Sequence, residues 1–184
     1  LDSGDGVIDE RDRTFIGNPN PDFVYGFDFN LKYKRWNLSA LFNGVYGNDI
    51  ANGMLLQLDN AEGREFANIM PRAYYNAWRP DNPSNTHPRI GYRTEGQIAI
   101  TDRIIEDGSY LRLQTVTLGY NFKLKSTSAF KGLRLVLSGQ NLYTWTNYSG
   151  FDPEVNTGGT LMPSMDYSAY PKSRTYSLQF SAKF

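Results

Sequence analysis

Carboxylates near the start of the chain have a spacing that could bind a metal ion. In Asp2-Ser3-Gly4-Asp5-Gly6-Val7-Ile8-Asp9 they recur around a glycine, as in calcium-binding loops, where carboxylates at alternate positions surround a hard cation. When Gly6 is aligned with the glycine of such a loop, Leu1 falls where the first carboxylate belongs, so that ligand is missing. An acidic turn explains the pattern better. We therefore predict no cofactor, with calcium at Asp5 and Asp9 as the alternative.

Catalytic chemistry has little support in the residue types. The chain has no cysteine, which excludes a disulfide scaffold, a thiolate zinc site and a cysteine nucleophile. The only histidine, His87, lies in a turn-like Asn-Thr-His-Pro stretch, which favours an ordinary loop residue. Asp152 and Glu154 could pair for glycoside hydrolysis, but Asp-Pro-Glu among glycines and asparagines is more typical of a turn. We predict that the protein is not an enzyme.

Aromatic side chains are the best candidates for binding. The chain has 13 Tyr, 11 Phe and 3 Trp, a content that is high for a soluble domain and typical of barrels with aromatic girdles at both membrane interfaces. Aromatic faces suit sugar rings and anchor protein interfaces. Tyr143, Trp145 and Tyr148 are best explained as part of an outer girdle. The other aromatic residues predicted to contact a ligand or a partner are Tyr74, Tyr75, Trp78, Tyr92, Phe151, Tyr167 and Tyr170.

Charge and hydropathy narrow the class of protein. The chain has 19 basic and 19 acidic residues, and this balance argues against a basic surface for nucleic acid and against a polybasic patch for a membrane surface. The mean hydropathy is −0.53, and no run approaches the ~20 apolar residues of a transmembrane helix. Hydropathy of this kind cannot detect a membrane barrel, because the strands of a barrel alternate between polar and apolar residues.

Five segments alternate with period two at the length of a tilted membrane strand, about 9–11 residues. The last is the clearest, because Tyr176, Leu178 and Phe180 alternate with polar residues. A soluble sandwich and a membrane barrel share this alternation, so the pattern alone predicts an all-β fold without choosing between them. The predicted strands are 23–34, 36–47, 110–122, 133–142 and 174–184.

The connections between these strands favour the barrel. They alternate between short and long, as expected when every strand crosses a bilayer and the long loops share one side. Residues 1–22, 48–109 and 143–173 are therefore predicted to be extracellular, and a short helix broken at Pro71 is expected within 61–78. Because five strands cannot close a barrel and an open edge is costly in lipid, we expect the remainder of the barrel elsewhere.

The last strand carries a further pattern. With the long loops outside, it runs inward, and Phe184 is predicted to lie at the periplasmic rim. Alternating apolar residues that end on an aromatic are similar to the outer-membrane assembly signal. The alternative is an amphipathic strand that happens to end in Phe. The candidate signal residues are Tyr176, Leu178, Phe180 and Phe184.

Several blocks along the chain resemble SusC/RagA-type TonB-linked outer-membrane proteins, and they occur in order over nearly the whole sequence. The first runs from Asp5-Gly6-Val7-Ile8-Asp9 to Asn18-Pro19-Asn20-Pro21-Asp22-Phe23. The middle loop is the weakest part of the resemblance. The later blocks are Gly44-Val45-Tyr46-Gly47-Asn48-Asp49, Tyr110-Leu111-Arg112-Leu113, Thr117-Leu118-Gly119-Tyr120, Ser138-Gly139-Gln140-Asn141-Leu142-Tyr143-Thr144-Trp145-Thr146, Asp152-Pro153-Glu154-Val155-Asn156 and Tyr170-Pro171-Lys172-Ser173-Arg174-Thr175.

The resemblance implies more than the alternation does. Proteins of this type are 22-stranded barrels of the bacterial outer membrane with an N-terminal plug, and this chain would supply the C-terminal five strands. They import glycans or peptides with energy relayed by TonB, which would act through a region N-terminal to this chain. A SusD-like surface lipoprotein caps the barrel, and the loop aromatics would contact either the oligosaccharide or peptide ligand or this lid.

Two other classes of function use the same features. A soluble, secreted β-rich glycan-binding module could use the same aromatics and polar strands, and a passive porin would lack both plug and lid. Solubility without detergent would favour the module. An upstream plug domain would separate an importer from a porin.

Overall fold

The computed structural model describes residues 13–59, 68–90, 101–125, 129–159 and 162–184, and strands dominate it. Two short helices, α1 (Gly53–Leu58) and α2 (Pro71–Asn76), and a 3-10 helix (Asp102–Ile104) accompany the strands. No helix within these ranges is both long and apolar enough to cross a membrane. The strands are β1 (Phe23–Tyr33), β2 (Trp36–Tyr46), β3 (Asp49–Asn52), β4 (Ile105–Asp107), β5 (Tyr110–Asn121), β6 (Gly132–Thr146), β7 (Met165–Asp166) and β8 (Thr175–Lys183).

The chain divides into two compact units. We call residues 21–47, 108–148 and 170–184 the sheet unit, and residues 1–20, 48–107 and 149–169 the connection unit. The connection unit thus contains most of each of the three segments predicted to be extracellular, whereas residues 143–148 and 170–173 of the third belong to the sheet unit.

The sheet unit is one antiparallel sheet in the order β1-β2-β5-β6-β8. These five strands lie at the five alternating segments of the sequence, with one clear difference. β6 continues to Thr146, beyond the expected end at residue 142, because Tyr143 and Trp145 pair with Leu113 and Leu111 of β5. Both aromatic residues therefore belong to a strand and not to a connection.

The short and long connections leave opposite ends of this sheet. At one end, β1 and β2 are joined by Lys34 and Arg35 alone, with Lys34 at φ 52°, and Tyr33 pairs with Trp36. At the other end, Phe23 pairs with Tyr46, where the chain departs on its first long connection. We refer to these as the short-turn end and the long-connection end.

A bulge shifts the alternation in the middle of the sheet. Leu113 pairs with Phe42 and Thr115 with Leu41, so Gln114 is an extra residue in β5. Facing it, β6 inserts residues between the partners of Leu113 and Thr115, and Asn141 there adopts φ 53°. A bulge moves side chains to the other face of a strand. Here it keeps the apolar residues on both sides of the irregularity on one face.

The connection unit has a small core of its own. Its three-stranded sheet has the order β4-β3-β7, with β3 antiparallel to β4 and parallel to β7. These long connections are therefore structured, and describing them as loops was incomplete. The apolar residues buried in this unit are Ile50, Ala73, Ala77, Ile104, Val155 and Met165.

Within the described residues Pro71 begins a helix and does not interrupt one, which differs from the expected break at this position. It is the first residue of α2, which runs from Pro71 to Asn76. The first turn of a helix has backbone N–H groups without intrahelical partners, so the missing N–H of proline costs little there and its fixed φ suits the helix. Residues 61–67 of the expected helix lie outside the described residues.

Candidate functional site

One side of the five-stranded sheet is continuously apolar, and we call it the apolar sheet face. Residues directly opposite each other on paired strands project to the same side, so the register identifies the members of each face. Across the centre, one row consists of leucine in all five strands: Leu31, Leu38, Leu118, Leu137 and Leu178. Neighbouring rows contribute Phe29, Ala40 and Val116 on one side, and Tyr33, Trp36, Tyr120, Leu135 and Phe180 on the other.

This face is exposed, although its composition is that of a protein core. Leu31 is 50% exposed, Leu137 51% and Leu178 70%. A contiguous exposed apolar surface of this kind marks contact with a membrane or a partner, because soluble monomers rarely tolerate one.

Aromatic rings border the apolar sheet face at both ends. At the short-turn end, Trp36 and Tyr120 have ring centroids 4.6 Å apart, and Tyr120 and Phe122 are 4.9 Å apart. At the long-connection end, Phe23 stacks on Tyr46 at 5.1 Å. The ten residue steps of β1 between Phe23 and Tyr33 span about 33 Å, or about 25 Å along the normal of a bilayer at a 40° tilt, which matches the apolar band of a membrane barrel.

Tyr143, Trp145 and Tyr148, predicted together as part of an outer girdle, differ in exposure. Tyr143 and Trp145 lie on the apolar sheet face, with ring centroids 4.8 Å apart, and about half of each side chain is exposed. Tyr148, just beyond the end of β6, is 5% exposed. It is therefore a buried residue and not part of an exposed girdle.

The opposite side of the sheet is polar, and we call it the polar sheet face. One of its rows contains Asn30, Ser39, Thr117, Ser138 and Ser177. The hydroxyl oxygens of Ser138 and Ser177 are 2.7 Å apart, within hydrogen-bond distance across the last two strands. A recess of about 280 Å³ on this face is lined by residues that include Lys32, Asn37, Thr117 and Arg134. It could receive polar or anionic groups.

The candidate assembly-signal residues occupy one edge of the apolar sheet face. Tyr176, Leu178 and Phe180 of β8 pair with Gly139, Leu137 and Leu135, and all three are more than 60% exposed. Phe184 follows β8, is 74% exposed and has its ring centroid 5.0 Å from that of Phe130. The structure thus groups three of the four residues on one strand face and leaves the fourth ring accessible.

The ligand-contact candidates of the first long connection cluster at α2. Ala73 is buried on one side of this helix, while Tyr74 and Tyr75 are exposed, with ring centroids 5.4 Å apart. The Arg79 guanidinium lies 5.0 Å from the centre of the Tyr74 ring and donates a hydrogen bond of 2.5 Å to the Tyr74 carbonyl oxygen. Two aromatic faces beside a fixed cation suit a sugar ring or a peptide side chain.

The remaining contact candidates are less closely grouped. Trp78 is 39% exposed, and its backbone N–H donates to the carbonyl oxygen of His87. Phe151 and Tyr167 are exposed in the second long connection, and Tyr170, in the sheet unit, is 93% exposed. Tyr92 lies outside the described residues.

The residues considered for catalysis have structural partners. The carboxylate of Asp152 accepts a hydrogen bond of 2.9 Å from the backbone N–H of Glu154, which confirms the turn interpretation of this pair. His87 lies between the hydroxyl of Thr86 at 3.0 Å and a carboxylate oxygen of Asp59 at 4.0 Å, and Arg72 donates to the other oxygen of Asp59 at 3.1 Å. These contacts hold the loop around His87 in place against Asp59.

Metal binding has no site among the described residues, where no cluster of three or more His, Cys, Asp or Glu side chains could hold an ion. Asp5 and Asp9, the residues of the calcium alternative, lie outside the described ranges, so that alternative remains a prediction.

Sequence reasoning missed a polar cluster at the centre of the connection unit. The Asn52 side-chain amide, 1% exposed, donates to Glu106 and to the Ser149 hydroxyl, both at 3.3 Å. The carboxylate of Glu106 accepts two hydrogen bonds of 2.7 Å from the backbone N–H and the hydroxyl of Ser149. No local pattern reveals this cluster, because Asn52 and Ser149 are 97 positions apart.

The comparisons with known proteins agree with this architecture. No family model matches the sequence. The TonB-dependent receptor P3 of Formosa agariphila is 35% identical over 98% of this chain, and the TonB-dependent receptor SusC of Bacteroides thetaiotaomicron is 28% identical over 99%. A chain of the RagAB peptide importer, solved in its open-open state, superimposes with a TM-score of 0.77 at 26% identity over 90% of this chain.

Over nearly its whole length this chain is similar to TonB-dependent receptors of the SusC/RagA type. It spans 17–18% of the length of these relatives. The expected resemblance to this family and the all-β architecture are confirmed. The relatives are named as receptors and an importer, in line with the expected non-enzymatic role.

Several blocks that carry the family resemblance lie where the backbone or the packing restricts the choice of residue. Asn141 lies in the irregular stretch of β6 opposite the Gln114 bulge, and Gly44 lies where an added Cβ would come within 2.5 Å of the Tyr110 carbonyl oxygen. Arg112, in the Tyr-Leu-Arg-Leu block, is only 2% exposed, and its guanidinium lies 5.3 Å from the Tyr110 ring centre. These residues therefore restrict how the strands pack against each other.

Proposed function

We propose that this segment forms part of the lipid-facing wall of an outer-membrane TonB-dependent importer. The observation that supports this most strongly is the apolar sheet face, exposed and bordered at both ends by aromatic rings. In a barrel wall this face contacts lipid, and the polar sheet face with its serine row lines the interior. The same surface on a soluble protein would cause aggregation.

The rest of the receptor completes this wall in the proposal. β1 and β8 are the edges of the described sheet, and an edge strand in lipid needs a partner because each unpaired backbone group costs several kcal/mol. We assign the five strands to the C-terminal part of a 22-stranded barrel, with the plug and the TonB contact contributed by N-terminal regions. The connection unit is placed on the extracellular side, where a SusD-like lipoprotein would form the lid.

The proposed cargo is an oligosaccharide or a peptide. Tyr74 and Tyr75 on α2, beside Arg79, supply aromatic faces and a cation, which together suit either class. These residues, with Phe151 and Tyr167, are our candidates for contact with the ligand or with the lid. The RagAB complex is described as a peptide importer, and that description supports the peptide alternative without deciding for this chain.

A pair of cysteine variants tests the wall assignment. Leu118 and Thr117 are adjacent in β5 and lie on opposite faces, and this chain contributes no native cysteine to the background. In the full-length receptor in membranes, Thr117→Cys should react with a water-soluble maleimide that can enter the barrel, whereas Leu118→Cys should react only with a membrane-partitioning reagent. Equal reaction of both cysteines with the water-soluble reagent would favour the soluble module.

Transport measurements test the importer assignment. Cells with the full-length receptor should take up labelled oligosaccharide or peptide only when TonB is present, and the gene should encode a plug upstream of this segment. Tyr74→Ala and Tyr75→Ala should weaken uptake, while Tyr75→Phe, which keeps the aromatic face, should retain most of it. TonB-independent diffusion through a receptor without a plug would identify a passive porin instead.

A further inference from the structure

The net charge of the chain is zero, but its basic and acidic residues are unevenly distributed between the two units. The sheet unit contains eleven basic and only two acidic residues, whereas the rest of the chain contains eight basic and seventeen acidic residues. The sheet unit therefore carries a formal charge of +9. The zero net charge, from which we argued against a polybasic membrane surface, is an average over the chain that hides this distribution.

The basic residues concentrate at the short-turn end of the sheet. Lys34 and Arg35 form the tip of the β1–β2 hairpin, and Lys123, Lys125 and Lys131 lie in the described parts of the β5–β6 connection. All five side chains are exposed. We call these five residues the basic collar.

Neither acidic residue of the sheet unit lies near the basic collar. Asp22 precedes β1 at the long-connection end, where its backbone N–H donates to the Tyr46 carbonyl oxygen. Asp28 lies in the middle of β1 on the polar sheet face, within 2.6 Å of the Asn30 amide nitrogen. No aspartate or glutamate side chain of the sheet unit therefore lies at the basic collar.

A recess connects the collar to the apolar sheet face. It has a volume of about 610 Å³ and is lined by Tyr33, Lys34, Arg35, Trp36 and Tyr120. The Lys34 ammonium lies 5.2 Å from the centre of the Tyr33 ring, so cation and aromatic ring share one wall. From β1 into the hairpin turn, the surface changes from Leu31 to Tyr33 and then to Lys34 and Arg35.

The order of these groups matches the chemistry of a phospholipid. Acyl chains fit the leucine row, Tyr and Trp rings suit the interfacial layer, and ammonium and guanidinium groups just beyond attract phosphate. Clustered cations favour anionic over zwitterionic headgroups, because a zwitterion carries its own cation. Nucleic acid or an acidic protein would need the charge but not the adjoining exposed apolar surface.

We propose that the basic collar, with the recess formed by Tyr33, Trp36 and Tyr120, binds anionic phospholipid headgroups of the leaflet that meets the short-turn end. This proposal rests on the proposed lipid contact of the apolar sheet face. It adds a lipid preference and assigns it to one end of the barrel.

The test uses the detergent-solubilised full-length receptor, titrated with phosphatidylglycerol or phosphatidylcholine of identical acyl chains and followed by native mass spectrometry. The collar variant is Lys34→Gln with Arg35→Gln. Lys172→Gln with Arg174→Gln is the matched control, because it removes the same charge before β8 at the long-connection end. Each cation near an anionic surface contributes about fivefold to binding, so the collar variant should lose roughly twenty-five-fold in phosphatidylglycerol affinity.

The wild-type receptor should prefer phosphatidylglycerol, and the control variant should keep that preference while the collar variant loses it. Equal loss in both variants would show a general charge effect and overturn the proposal, as would a wild-type receptor that binds both lipids equally.

A second test uses a photocrosslinker at position 35 in cells. It should capture lipid, and capture of a periplasmic protein alone would overturn the proposal. A receptor that does not fractionate with the outer membrane would contradict the proposed function, whereas a membrane-embedded receptor without lipid preference would contradict only this inference.

Discussion

Leu178 and Gln179 are neighbours on β8 that face opposite sides of the sheet. Leu178 completes the leucine row and is 70% exposed, whereas Gln179 pairs with Val136 on the polar sheet face. If Leu178 lies near the bilayer midplane, Leu178→Arg should destabilise the full-length receptor by about 2–4 kcal/mol. Gln179→Arg, which faces the barrel interior, should cost far less. Unfolding by urea in lipid vesicles measures both, and equal losses would contradict the assignment of the two faces.

Phe184 tests whether recognition during assembly depends on a single ring. Its side chain is 74% exposed and contacts Phe130, so Phe184→Ser should cost the folded state less than the roughly 3–5 kcal/mol of a fully buried Phe truncation. If the residue closes an assembly signal, the full-length variant should reach the outer membrane poorly and yet refold almost normally in detergent.

Phe130→Ser is the matched control for this prediction, because it removes the other ring of the same pair outside the proposed signal. Surface levels should fall for Phe184→Ser and stay near normal for Phe130→Ser. Normal levels of both variants would count against the assembly signal, though not against the barrel.

At the scale of elements, the irregular stretch of β6 aligns the apolar residues of β5 and β6. Asn141 adopts φ 53° there, and its side-chain amide donates to the Ser173 carbonyl oxygen at 3.1 Å. Glycine adopts positive φ without strain, whereas a β-branched residue does not. Asn141→Val should therefore be less stable than Asn141→Gly by about 1–3 kcal/mol, measured by denaturant unfolding. Similar stability of the two variants would show that this backbone conformation does not constrain the sheet.

The sequence predicts those strands whose residue pattern follows from neighbouring positions along the chain. It does not predict elements that depend on contacts between distant residues. Alternation with period two locates β1 and β8 within a residue or two, because each strand exposes one face to each environment. In β5, apolar residues 111 and 113 are followed by 116, 118 and 120, and this break in phase marks the bulge at Gln114 once the register is known.

The connection unit could not be predicted in the same way. Its strands β3, β4 and β7 have four, three and two residues, too few to establish a period. Its polar centre joins Asn52, Glu106 and Ser149 across up to 97 positions, and single-sequence patterns carry no information on such pairs. Tyr74 and Tyr75 were identified by residue type, but their grouping with Arg79 depends on α2 and the turn after it.

At the scale of the whole molecule, the chain direction and the charge distribution both distinguish the same two ends of the five-stranded sheet. The long connections leave the five-stranded sheet at its long-connection end, and the basic collar lies at the short-turn end. In a barrel that spans the outer membrane, these two ends face opposite compartments. The proposed function places the long-connection end outside, and the collar then faces the periplasm.

Surface labelling of intact cells tests that orientation. Tyr75 is 70% exposed in the connection unit, and Lys125 is exposed at the short-turn end. A membrane-impermeant maleimide should label Tyr75→Cys on intact cells and should label Lys125→Cys only after the outer membrane is ruptured. The two variants control for each other, because rupture exposes both sites and equalises their labelling if the protein is folded. Labelling of Lys125→Cys on intact cells together with protection of Tyr75→Cys would reverse the topology, and with it the leaflet assigned to the basic collar.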